Sequence, residues 1–141
     1  MGLADPVQVR RLALWVADGA DYTRADAARV AAAAGVGWES TAAERFKRRV
    51  EHGAGLLRAA AAQLDQLSTA LSEHAAAIEY RQYQIAAAKW WLEQHFDPSW
   101  VAAEGASDLV AEVENVRQAA ASLGPDATGW LDLAGRLGWS W

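Results

Sequence analysis

His52, His74 and His95, together with the carboxylates around them, are the first residues to test for chemistry in a 141-residue chain that contains no cysteine. Cysteine's absence removes thiolate metal sites, disulfides and a thiol nucleophile together. Successive histidines stand 22 and 21 residues apart, which on a continuous helix separates them by about 30 Å at 1.5 Å per residue, too far to share an ion. Glu51-His52 and Glu73-His74 are adjacent and Glu93-x-His95 is one residue short of the Glu-x-x-His spacing that carries di-iron sites in helical bundles. Gly35-Val36-Gly37-Trp38-Glu39-Ser40 has two glycines, but no strand precedes it and no lysine stands where a phosphate-binding loop requires one; it reads as a turn. No serine sits in a Gly-x-Ser-x-Gly context that would expose a nucleophile. The residues therefore predict no catalytic set, no metal and no cofactor, and an enzyme with a site in a bundle core ranks last among the functional classes.

Composition points to helices. There are 34 alanines against three prolines and two phenylalanines, so the strongest helix former dominates while strand-favouring residues are thin. A formal charge of -5 gives nucleic acid no overall attraction. Charged residues interrupt every apolar run short of the roughly 18 residues that a membrane span needs, so neither nucleic acid nor stable membrane insertion is expected. Arg10-Arg11 ahead of an apolar stretch superficially fits a signal peptide, but Asp18 cuts the run short and no clean cleavage site follows.

The elements follow from capping signals and periodicity. Asp5-Pro6 with Gln8 opens a first helix, carrying Val9, Leu12, Val16, Thr23, Val30 and Ala33 as its apolar stripe. Gly35 is placed to end it as a left-handed residue. Ser40 with Ala43, or Thr41 with Glu44 as a capping box, restarts the chain. Positions 46, 50, 53, 57, 60, 64, 67, 71, 74, 78, 81, 85, 88 and 92 then alternate steps of four and three, and eleven of these fourteen are apolar. This heptad seam contains Phe46, Val50, Leu57, Leu64, Leu67, Leu71, Ile78, Ile85 and Leu92 and predicts one long supercoiled helix. Gly53 and Gly55 are the places for a bend. His74 and Arg81 break the seam, either as buried specificity residues or because water covers them. The basic run Arg45, Lys47, Arg48 and Arg49 around Phe46 reads as a solvated face with Glu44 pairing Arg48. Asp97-Pro98 and a seam of Leu109, Val113, Val116, Ala120 and Leu123 predict a further helix, closed by Gly124-Pro125. A short amphipathic stretch around Trp130, Leu133 and Leu137 leaves Trp139 and Trp141 near the end.

The segment GWESTAAERFKRRV resembles the signature of the WXG (Trp-x-Gly) superfamily associated with bacterial type VII, or ESX, secretion. Trp38-Glu39-Ser40 stands for Trp-x-Gly, with Ser40 at the glycine position, Ala42 and Ala43 for the small residues that follow, and Phe46 for the aromatic. The resemblance covers residues 5 to 95 and places the motif at the break between two long helices. It implies an antiparallel helical hairpin that dimerises, as a homodimer or heterodimer with another hairpin, and leaves the cell through the secretion machinery without a cleaved signal peptide. The family's Tyr-x-x-x-Asp/Glu export signal has its nearest counterpart here in Trp100-x-x-x-Glu104, because Tyr22-x-x-x-Asp26 falls in the first helix.

The expected protein is thus all-α: a long antiparallel hairpin over residues 1–95 and a C-terminal helical extension over 96–141, forming a four-helix bundle on dimerisation. It is expected to be a non-enzymatic interaction protein, with Trp100, Glu104, Trp130, Trp139 and Trp141 as candidate export or docking residues. A cytoplasmic chaperone or immunity-like adaptor that clamps a toxin or other client is the alternative.

Overall fold

The computed structural model describes residues 4–37, 39–95, 115, 118, 119, 121–123, 128–136, 138 and 139. Every regular element among the described residues is helical: α1 (Pro6–Ala33), α2 (Thr41–His95) and α3 (Gly129–Arg136). The chain divides into two compact units, Pro6–Ala75 and Ala76–Trp141, the second also taking in Met1–Asp5. The division falls within α2, which is one continuous helix through Gly53 and Gly55. No helix among the described residues is long and apolar enough to cross a membrane. The seam expected over Leu109–Leu123 lies mostly outside the described residues.

In the first unit α1 and the leading part of α2 run antiparallel, joined by a short turn. Their contact is made of alanine. Ala13, Ala20 and Ala27 on α1 are 2 %, 0 % and 1 % exposed, and Ala54, Ala61 and Ala75 on α2 are 0 %, 1 % and 0 % exposed. Both sets recur every seven residues, the repeat that keeps one line of a helix facing its partner. Ser68 occupies the missing position of the second set, and its hydroxyl donates to the Ala13 carbonyl at 2.9 Å. A serine side chain is one carbon long, so this bond requires the two backbones to be close, toward the short end of the roughly 8–10 Å range of packed helices. The register set by that bond places Ala20 level with Ala61 and Ala27 level with Ala54.

The seam read from the sequence is therefore half in phase with the observed one. Its column Val50, Leu57, Leu64 and Leu71 is half-buried beside the alanines, and Ile78, Ile85 and Leu92 farther along α2 are buried. From 54 to 75 the other column is displaced by one residue, whereas Ala88, farther along, is buried where expected. Alanine or serine at 54, 61, 68 and 75 takes the place expected for 53, 60, 67 and 74, leaving Phe46 and Leu67 44 % and 48 % exposed. His74 and Arg81 are exposed on the chain, and Arg81 donates to the Gln84 amide oxygen at 3.3 Å.

The ends of α1 separate one expectation from the outcome. The helix starts at Pro6, as its ring predicts. At the other end Gly35 does not take the left-handed conformation expected of it, since Gly138 alone among the described residues has positive φ. Instead Ala34 and Gly35 donate to Ala31 and Ala32 at 3.0 and 3.1 Å, so the last carbonyls are satisfied by tightening to i→i+3 bonds.

Ala20→Leu adds bulk at a fully buried point of closest approach, and should destabilise the protein by about 1–3 kcal/mol. Ala25→Leu, on an exposed position of the same helix, should change stability by less than about 0.5 kcal/mol. Urea denaturation of both variants checks this, and equal stability would mean that the helices do not meet through alanine.

Candidate interaction surface

Small residues at the seam push the larger ones to its edges, and the two edges differ. Along one edge run Val9, Val16, Thr23 and Val30 of α1 and Val50, Leu57, Leu64 and Leu71 of α2, all half-buried. The position of Gly19 on this side lies 3.9 Å from Leu64 Cδ1 when a Cβ is placed there. Trp15, Val16, Asp18, Gly19, Tyr22 and Leu64 line an open groove of about 440 Å³ at this point. Trp15 and Tyr22 stand 71 % and 75 % exposed on its walls, one heptad apart, and Leu12 and Leu67 extend the apolar rim.

Along the other edge the flanking column of α2 is Glu51, Arg58, Asp65 and Ser72. There Arg24 forms an ion pair with Asp65 across the hairpin and a second with Asp21 on its own helix. The Asp65 hydrogen bond, more than the charge of either carboxylate, raises the Arg24 guanidinium above its usual pKa. Both partners are about half exposed, so the pair fixes which edge is wet more than it adds stability. The hairpin is thus a two-helix layer with one polar and one apolar side.

At the turn Ser40 is the N-cap of α2. Its hydroxyl accepts from the Ala43 amide at 3.1 Å and its carbonyl from the Glu44 amide at 2.9 Å, which makes the Ser40–Ala43 pairing the start signal. Glu39 and Ser40 are exposed, and with Ala42, Ala43 and Phe46 they border a shallow hollow of about 470 Å³. Trp38 lies outside the described residues, as do Trp100, Glu104 and Trp141.

Trp130 and Trp139 are half-buried. They pack with Trp91 and Leu131 against Ala88, Leu92, Leu133 and Ala134. Lys89 Nζ sits 4.9 Å from the centre of the Trp130 ring, within cation–π range, and Trp91 stacks on His95 at 4.7 Å. The chain reaches Trp139 through a Schellman turn: Gly138, with φ of 95°, donates to Gly135 at 3.2 Å, and Trp139 donates to Ala134 at 3.0 Å. Gly138 followed by an apolar residue was a legible stop signal that periodicity alone does not register. These two indoles therefore have a packing role at the end of α3.

Nothing in this arrangement gathers reactive groups. Among the described residues no three of His, Cys, Asp and Glu come together as a metal site, and His52, His74 and His95 are each exposed. No family model, curated protein or solved structure matches the chain. Trp15 was not singled out by the sequence pattern, and Tyr22 only as a letter match to an export signal, although their seven-residue spacing around Gly19 was a usable signal of this groove.

Because its cap hydroxyl serves one amide, Ser40→Ala should cost about 1 kcal/mol, whereas Ser40→Gly should cost only a few tenths. Thermal unfolding of the two variants checks the order; an Ala variant at least as stable as the Gly variant would mean that the hydroxyl does not cap α2.

Proposed function

We propose that the chain is a non-enzymatic interaction protein of the Trp-x-Gly, type VII secretion-associated kind, which pairs its hairpin with a second helical hairpin to form a four-helix bundle. The partner is another copy or a different chain, and the protein is exported by that system without a cleaved signal peptide. The observation carrying this reading is the one-sided hairpin, whose valines and leucines are half-buried along a single edge while polar residues occupy the other. A helix layer of this kind completes its core by laying that side on a second layer. The area suits the purpose. Twenty-eight residues of α1 extend about 42 Å, and two helices side by side span about 20 Å, giving roughly 800 Å², what one partner contributes to an ordinary stable interface.

The placement of the turn supports the secretion-associated part of the reading. Glu39 and Ser40, the described residues of the Trp-x-Gly-like motif, lie between α1 and α2, with Ser40 capping α2 from the position that the motif gives to glycine. Serine and glycine are both good N-cap residues, so the substitution preserves the restart of the helix.

Leu64→Glu combined with Leu67→Glu places two charges on the apolar side. The wild type should melt at a temperature that rises with protein concentration, or with the concentration of a helical chain co-purified from its host. In the variant that dependence should vanish and the co-purified chain should be lost, while Arg58→Glu on the polar edge leaves both intact. A wild-type melting point indifferent to concentration, with no helical chain retained, would sink the proposal.

A further inference from the structure

The basic run at the head of α2 is a solvated face as expected, but its internal pairing falls on Lys47 and leaves the three arginines out. Glu44 pairs with Lys47, at 3.5 Å, and not with Arg48. Arg45, Arg48, Arg49 and His52 are all exposed, and none of their side chains forms an ion pair or hydrogen bond among the described residues. Their spacing of i, i+3, i+4 and i+7 puts them on one stripe of the helix, about half a turn away from the alanine seam at Ala43, Ala54 and Ala61. Leu56, 60 % exposed, continues the stripe one turn on. Residues 44–58 carry a net charge of +3, within a chain of -5.

Hairpin stability does not account for this arrangement. Like charges three and four residues apart repel one another on a helix, and cations near a helix N-terminus oppose its dipole. Three guanidinium groups on one stripe, none of them paired with a carboxylate among the described residues, are suited to two-pronged recognition of an anionic partner. The size of the patch and its surroundings select the kind of anion. It covers about two turns, close to 10 Å along the axis, and the remaining residues sum to -8, which repels an extended polyanion.

We infer that the outer face of α2 formed by Arg45, Arg48, Arg49 and His52, with Leu56, is a docking surface for an acidic amphipathic helix of a partner protein. Carboxylates spaced along one turn of such a helix meet the arginines, and one apolar side chain covers Leu56. The stripe faces away from α1, so this contact leaves the apolar edge of the hairpin free and stands apart from the pairing proposed above.

The test uses the full chain and three probes: a short helical peptide with a stripe of glutamates beside leucines, the same peptide with glutamine at those positions, and a short single-stranded DNA. Fluorescence anisotropy should show the glutamate peptide binding, weakened by added salt, and at least about tenfold tighter than either other probe. Arg45→Glu with Arg49→Glu should abolish that binding with helicity unchanged, and Arg11→Glu with Arg81→Glu, an equal change of charge elsewhere, should not. Equal binding of the DNA, equal binding by the Arg45/Arg49 variant, or no binding of the glutamate peptide would each overturn the inference.

Discussion

Close approach of two helices through alanine is the constraint on which the first unit depends. A methyl group buried at 0–2 % exposure lets backbones come near enough for a serine hydroxyl to reach the opposite main chain, but each methyl removes little apolar surface from water, of order 0.8 kcal/mol. Interlocking through small residues therefore gives precision of register at modest stabilisation. The larger apolar residues cannot enter that seam. They are displaced to an edge, half-buried, with much of their hydrophobic stabilisation still unrealised. One packing choice produces both the ordered hairpin and its incomplete core.

Polarity of the opposite edge turns that incompleteness into direction. Arg24 and Asp65 hold one side of the hairpin open to water, and valines and leucines hold the other side ready for a second apolar layer. Trp15 and Tyr22, flanking Gly19, add a notch of side-chain size to that side. The second unit solves its packing differently: three tryptophans close a small cluster at Ala88, Leu92, Leu133 and Ala134, and a left-handed glycine turns the chain back toward it.

Much of this was legible. Helix class followed from composition, the start of α1 from Asp5-Pro6, the restart of α2 from Ser40, and the column Val50-Leu57-Leu64-Leu71 from its seven-residue repeat. The companion column was not legible for a physical reason. Periodicity is read as contrast, and in a chain with 34 alanines an alanine seam contrasts with nothing, so Leu67, one position before Ser68, drew the sequence reading off the line of Ala54, Ala61 and Ala75. Gly35 misled for a related reason, since glycine permits a left-handed turn without requiring one and the i→i+3 bonds at Ala34 and Gly35 met the same need. The lack of ion pairs at Arg48 was also beyond sequence, because the choice of Glu44 between Lys47 and Arg48 depends on side-chain placement.

The pairing proposed for this hairpin puts a second helical layer from another chain over its apolar edge. Its most direct test is the mass of the native particle, measured on protein isolated gently from its host and again on the purified chain across a wide range of concentration. Hairpins paired into a bundle give a particle of about twice the 15.2 kDa chain mass, or one containing a second helical chain in equal number. A particle of 15.2 kDa under both conditions, persisting at the highest concentration, would contradict it.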